Sequence, residues 1–390
     1  MLNNQIYLDY NATTPVDPRV LEAMLPYFTE VFGNAASTDH EFGYEAKKAV
    51  DKARQQIASI INARPEEIIF TSGATESDNI ALLGVAEKYA KKGDHIITCV
   101  TEHKAILDTC ARLEKLGRRV TFLPVDEFGR VNPNDVRQAI TPKTILISIM
   151  AANNEIGTIA PLAEIGSIAE EHGIFFHTDA AQAVGHIPID VQRMKIHLMS
   201  ISAHKVYGPK GIGVLYRRRS NPHVKLEPVI YGGGHERGIR SGTLNVPAIV
   251  GFGEALAIAE REMVEEDEQF RAWTRHMYQR FEEVLGSIAL NGHPTDRLPH
   301  NLNVSFFGIE SRALIVKLKN VAVATGSACT SANVEPSHVI QALGFGDERA
   351  HSAIRISVGR YNTEQQIDRA TEYIIQAVQS LQTLNTSVMT

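Results

Sequence analysis

"EIIFTSGATESDNIALLGVAEKYAKK" (residues 67–92) decides the fold class. A strand-like apolar run ends at Ser72, a glycine turn follows at Gly73, and a stretch of helical period then carries on to Lys92. The pattern recurs: "HIITCV" (95–100) precedes "AILDTCARLEKLG" (105–117), and "TILISIM" (144–150) precedes "LAEIGSIAEEHG" (162–173). "IFFHTDA" (174–180) and "LMSISAH" (198–204) follow. Strands that are apolar throughout are covered on both faces, and their alternation with helices predicts an α/β fold on a mostly parallel sheet.

From about residue 255 the character changes. "GEALAIAEREMVEEDEQFRAWTRHMYQRFEEVLG" (253–286) reads as a long charged helix carrying the only Trp, Trp273. The strands "HNLNVSFF" (300–307) and "RISVGR" (355–360) then lead to the amphipathic helix "TEQQIDRATEYIIQAVQSLQTL" (363–384). The expected organisation is a large α/β domain over 14–261 and a smaller α+β domain made of 1–13 and 262–390. No internal repeat or low-complexity linker is visible.

The 390 residues are 44% hydrophobic and 22% charged with a net charge of −6, which describes a globular chain and excludes a disordered or fibrous one. Lysine and arginine are scattered, so no nucleic-acid surface is expected. The one short basic run, Arg217–Arg218–Arg219, is expected on a solvated strand end. The start, "MLNNQIYLDYNATTP", lacks a signal-peptide pattern, and no apolar run approaches membrane-spanning length. Three cysteines without metal-ligand spacing point to reduced thiols and a cytoplasmic location.

In an open parallel sheet, ligands bind beyond the carboxyl ends of the strands. After "EIIFTS" the helix start at "GATES" (73–77), with Thr75, suits a phosphate. Thr75 and Asp78 also fit a capping box, and on these residues alone both readings stand. Asp179 ends "IFFHTDA", as a functional carboxylate or as a cap. Ser202, His204 and Lys205 leave the apolar run "LMSIS" together. A lysine beside a buried strand is desolvated, which lowers its pKa and makes a nucleophilic amine suited to Schiff-base chemistry. "GGGHERG" (232–238) does not fit G-x-G-x-x-G, and no strand precedes a G-x-x-x-x-G-K-[ST] loop, so nicotinamide and ATP chemistry find no support. A phosphate cup, an acid, a lysine and the histidine of "TEHK" (101–104) together suit pyridoxal 5′-phosphate.

At this point the sequence resembles the cysteine desulfurases of the class V aminotransferase group, fold type I. The motifs run in order through nearly the whole chain: "YLDYNATTPVDPRV" (7–20), "FTSGATESDN" (70–79), "TEHKA" (101–105), "NNEIGT" (153–158), "HTDAAQAVG" (177–185), "SAHKVYGPKGIG" (202–213), "GGGHERGIRSGT" (232–243), "GSACTSA" (326–332) and "AIRISVGRYNTE" (353–364). The resemblance implies that Lys205 links the cofactor, that Asp179 partners its ring nitrogen, and that His103 stacks on the ring. It places Asn154 and Gln182 near the ring oxygen and Ala74, Thr75, Ser202 and His204 at the phosphate. Thr243 is implied to reach the phosphate of the neighbouring subunit, making a homodimer with shared sites. Arg355, with Asn154, is implied to bind the substrate.

Cys329, with small neighbours in a loop of about 324–334, matches the family's catalytic cysteine. Cys99 and Cys110 are expected in the core. The implied reaction is removal of sulfur from L-cysteine to give L-alanine and a persulfide on Cys329. The sulfur would pass to an acceptor such as an iron–sulfur scaffold protein, or serve tRNA thiolation. No intrinsic metal is implied, although Cys329 is a candidate transient cluster ligand. Rivals on the same fold are a selenocysteine lyase, a cystine C–S lyase and an aminotransferase; from another class, a non-catalytic assembly scaffold.

Overall fold

The computed structural model describes residues 5–325 and 336–388; the Cys329 stretch lies outside the described residues. Seven strands form the central sheet: β1 (Ile68–Thr71), β2 (His95–Cys99), β3 (Arg119–Leu123), β4 (Thr144–Ser148), β5 (Phe175–Asp179), β6 (Leu198–Ser202) and β7 (Gly213–Arg217). Their order across the sheet is β1-β7-β6-β5-β4-β2-β3. All neighbours pair in parallel except β7, which runs antiparallel to both β1 and β6.

Burial explains why the strands read as unbroken apolar runs. Alternate residues feed two cores, one on each face. Ile69, Ile96 and Leu146 pack under the helices Ala74–Lys88 and Lys104–Lys115. Ile68, Phe70, Ile97 and Ile147 pack on the other face, against Glu41–Ile60, Leu162–Glu171 and the first half of Val246–Leu285. At about 1.5–3 kcal/mol for each fully buried large apolar side chain, these two layers dominate the stability of the sheet.

The helix Val246–Leu285 runs unbroken for 40 residues. Its first half buries Ile249, Phe252 and Leu256 in the sheet's core. Its second half buries Phe270, Trp273, Met277 and Phe281 in a separate apolar cluster with Ile6, Leu8, Ile354 and Ile374. The division expected at 261/262 therefore falls inside one continuous helix. That second cluster covers a three-stranded antiparallel sheet of β8 (Ile288–Asn291), β9 (Asn301–Phe306) and β10 (Ala353–Ser357), ordered β10-β9-β8. The N-terminal Ile6–Tyr7 pairs in parallel with Val321–Ala322, so the first residues join this second unit.

The basic run is a correction to the sequence reading. Arg217 and Arg218 are buried, because β7 is an interior strand; Arg218 Nη2 donates to the Val191 carbonyl at 2.9 Å. Interior position also gives Gly213 a role at the ligand end of the sheet. Gly213 pairs with Thr71 on one side and Ser202 on the other, and a Cβ built on it would lie 2.5 Å from Gly73 Cα. Gly213→Ala is expected to push the Gly73 turn away from Ser202, costing about 1–3 kcal/mol by overpacking. A fall in Tm checks it; an unchanged Tm with unchanged cofactor affinity would refute the close approach.

Candidate active site

β1, β5 and β6 end at Thr71, Asp179 and Ser202, and beyond these ends lies a cavity of about 860 Å³. Ala74, Thr75, His103, Asn154, Asp179, Gln182, Ser202, His204, Lys205 and Arg355 all line it. Ala324 and Thr325, which lead into the Cys329 stretch, line it as well. Thr243 is exposed and is not among the lining residues of its own chain. Cys99 and Cys110 are buried free thiols in a strand and a helix, as their sequence settings suggest.

The helix after β1 starts at Ala74 with Gly73 as its N-cap and no side-chain cap. The capping-box alternative for Thr75 is thereby corrected: the helix begins before Thr75, and Asp78 is an interior helical residue with no exposed surface. The first-turn N–H groups are left for something anionic in the cavity. Glu76, which would repel an anion there, is drawn aside by Arg240 Nε at 2.7 Å and by the Ser72 N–H at 2.9 Å. Burial, and then the Lys205 charge beside it, push the His204 pKa down to about 4. Its neutral ring sits 3.1 Å from Thr13 Oγ1.

Lys205 closes the short helical turn Ala203–Lys205 that follows β6, and it lines the cavity. Its Nζ donates to the carbonyls of Asn11 at 2.6 Å and Ala12 at 2.9 Å. Burial, then the like charge of Arg355, lower its pKa to about 8. Across from it, Asp179 Oδ1 accepts the Ala181 N–H at 2.9 Å, and burial raises this carboxyl's pKa. Two further acids lie near by in the interior. Burial pushes Asp78 well above the usual carboxylate range and Glu102 to about 8. Both Asp78 oxygens and Glu102 Oε2 lack hydrogen-bond partners, which suits neutral carboxyls. Of the three, only Asp179 lines the cavity, so only Asp179 can acquire a cationic partner from a ligand.

His103 is the N-cap of Lys104–Lys115, with Nδ1 accepting the Ala105 N–H at 3.1 Å. That bond places the proton of a neutral ring on Nε2. Arg355 projects from β10, its Nη2 paired with Asp9 Oδ1 at 2.7 Å and its Nη1 donating to the Asn154 carbonyl at 3.0 Å. Its buried Nε has no partner, and the guanidinium lines the cavity, where its charge can attract a carboxylate. Sequence reasoning passed over Asn11, Ala12 and Asp9, although all three sit in the polar run that follows "IYL".

The aminotransferase class-V family matches residues 6–370. The chain belongs to that family. A relative described as "Cysteine desulfurase IscS" from Anaeromyxobacter dehalogenans (strain 2CP-C) is 52% identical over 380 residues, 97% of this chain and 94% of the relative. Among solved structures, one described as "NIFS-LIKE PROTEIN" superposes with a TM-score of 0.89 at 37% identity, covering 96% of this chain and 99% of its own. Another, "SspA in complex with cysteine", gives a TM-score of 0.80 at 38% identity over 92% of this chain and 100% of its own. These likenesses extend through the class-V chain's sheet, its long helix and its second unit, so the cavity is embedded in a fold shared with such proteins.

Proposed function

We propose that the chain is a pyridoxal 5′-phosphate-dependent cysteine desulfurase that moves the sulfur of L-cysteine onto Cys329 and releases L-alanine. The observation that carries this reading is a desolvated lysine amine facing a buried carboxyl in one cavity, beside an uncapped helix start. The relatives' printed name supplies the substrate class. The residues present fit the cofactor: Lys205 would bind its aldehyde, and Ala74, Thr75, Ser202 and His204 its phosphate. Asp179 would face its ring nitrogen, and His103, Asn154 and Gln182 the ring and its oxygen. Bound there, the cofactor supplies an electron-withdrawing ring that stabilises negative charge on the substrate's Cα.

The chain's own groups then divide the work. Arg355, lining the cavity, orients the substrate carboxylate with its guanidinium charge. Lys205, whose pKa burial lowers to about 8, accepts the Cα proton at Nζ in its neutral form and later returns it. The Cys329 thiolate attacks the substrate sulfur. A sulfur–sulfur bond forms on Cys329, the substrate's carbon–sulfur bond breaks, and its electron pair stays with the carbon, which is protonated to alanine. His103, with its proton on Nε2, is placed to exchange protons over the cavity.

Peptide mass spectrometry after mixing the protein with L-cysteine, without reductant, tests the reading. One added sulfur on the Cys329 peptide and none on those of Cys99 or Cys110 is the expected result. Alanine formed without that adduct would favour a different lyase on this fold. A pH effect follows from Lys205 as well. Only the neutral amine attacks the cofactor aldehyde, so its fraction rises with pH through the pKa of about 8. Uptake of the cofactor by cofactor-free protein, followed by absorbance, should rise about tenfold per pH unit below that point and level off above it. A flat profile would contradict the amine's role.

A second copy of the chain completes the proposal. Leu25, Phe28, Phe32, Phe42 and Tyr44 are all more than half exposed on the helices and turns of the N-terminal segment. An apolar surface of this extent is what a partner covers. Exposed Thr243, outside its own cavity, is then free to reach the phosphate of the other subunit. Sedimentation equilibrium checks this, and a monomer at micromolar concentration would refute the shared site. No helix among the described residues is long and apolar enough to cross a membrane. A cytoplasmic setting, with the persulfide sulfur passed to an iron–sulfur scaffold protein, agrees with this chemistry.

A further inference from the structure

We propose that Asn11 is a positioning residue: with Ala12 it forms a two-carbonyl dock that receives the Lys205 amine once that amine has taken the substrate's α-proton. The inference rests on the reading of Lys205 as the base. The placement of Lys205 Nζ carries it. The amine turns to the carbonyls of Asn11 and Ala12, at 2.6 and 2.9 Å, making two strong hydrogen bonds to main-chain oxygen. Carbonyl acceptors favour an ammonium, with three donors, over a neutral amine.

The dock is built, because Asn11 is held from both units of the fold. It is 1% exposed. Its N–H donates to Ser357 Oγ at 2.9 Å on β10, and its Oδ1 accepts from Asn301 Nδ2 at 3.3 Å on β9. On the side of the large sheet it forms a reciprocal pair with Gln182: Asn11 Nδ2 donates to Oε1 at 3.0 Å, and Gln182 Nε2 donates to the Asn11 carbonyl at 2.9 Å. The same carbonyl thus accepts from Gln182 and from Lys205, so the group expected at the ring oxygen and the base share one anchor.

The proton balance gives the dock its purpose. The substrate's Cα–H bond breaks, its electron pair stays on the substrate, and the proton becomes the third N–H of Lys205. That new charge sits in a buried cavity with Arg355, a like charge, while Asp179 and Asp9 attract it. Two fixed carbonyls hold the ammonium where it can return the proton. Removing the Asn11 side chain breaks its bonds to Gln182 Oε1 and Asn301 Nδ2 and leaves the main-chain carbonyl held by Gln182 Nε2 alone, so the dock should loosen while Lys205 itself stays intact.

The experiment is competitive acetylation of cofactor-free protein across a pH series, quantified on the Lys205 peptide by mass spectrometry. Asn11→Ala should lower the Lys205 midpoint by about one pH unit, the worth of one hydrogen bond to a charged group. An unchanged midpoint in folded Asn11→Ala protein would overturn the proposal. Should that variant not fold, Ser357→Ala, which removes only the acceptor of the Asn11 N–H, decides: a smaller shift in the same direction supports the dock, and none overturns it. The reading beneath is tested separately by borohydride reduction of Lys205→Ala protein mixed with the cofactor. A covalent adduct there would move the linking amine elsewhere without touching the Asn11 result.

Discussion

Lys205→Ala should yield folded protein without the visible absorbance of a lysine-linked cofactor, and with turnover of L-cysteine reduced by at least about 10⁴-fold, since nucleophile and base are lost together. The loss should be this large because no other amine among the described residues is equivalently placed. Lys210 also lines the cavity, but it is exposed and keeps its hydration, whereas Lys205 is seated on the Asn11 and Ala12 carbonyls at the end of β6. Burial and Arg355 set the Lys205 pKa near 8, so a sizeable neutral fraction exists at physiological pH. Absorbance spectroscopy and alanine quantification read the two effects separately. Retained colour with lost turnover would leave Lys205 as the base while moving the linkage, and retained turnover would remove it from the chemistry.

How much of this was legible beforehand depends on which physical signal each feature leaves in a sequence. Strands β1, β2, β4, β5 and β6 were readable because both their faces are buried, so that composition alone marks them. β7 was legible only as a strand end at the basic run, because nothing local shows that "GIGVLY" (211–216) inserts antiparallel between β1 and β6. The same blindness put Arg217 and Arg218 on the surface, since their burial follows from β7's neighbours rather than from their own stretch. The helix start stayed between two readings because Thr75 offers a plausible cap, whereas the true N-cap, Gly73, offers none. Residue types suited to chemistry, such as Asp179 and Lys205, stood out at or just past strand ends, whereas Arg355, inside β10, was marked only by the family resemblance. Asn11 did not stand out, because its importance lies in partners 171, 290 and 346 residues away, a relation that periodicity does not record.

Asp179→Asn should keep the cofactor and lose the chemistry. Asparagine has nearly the shape of aspartate, and its Oδ1 can still accept the Ala181 N–H that now reaches Asp179 at 2.9 Å. The lysine linkage and the phosphate cup are untouched, so absorbance of bound cofactor should persist. Turnover should nonetheless fall about 10²–10⁴-fold. The reason is reciprocal electrostatics. Burial raises the Asp179 pKa, and a protonated ring nitrogen placed against it would bring that pKa down. By linkage, the carboxylate raises the basicity of the ring nitrogen equally and keeps it protonated, which is the state that withdraws electrons from the substrate. A neutral amide cannot do this. Asp78 and Glu102 cannot replace it: burial favours their neutral forms, and neither lines the cavity. Steady-state kinetics with L-cysteine should therefore show the loss in kcat, with KM for L-cysteine little changed because Arg355 remains. A variant with near wild-type kcat would show that the ring nitrogen does not need its proton here.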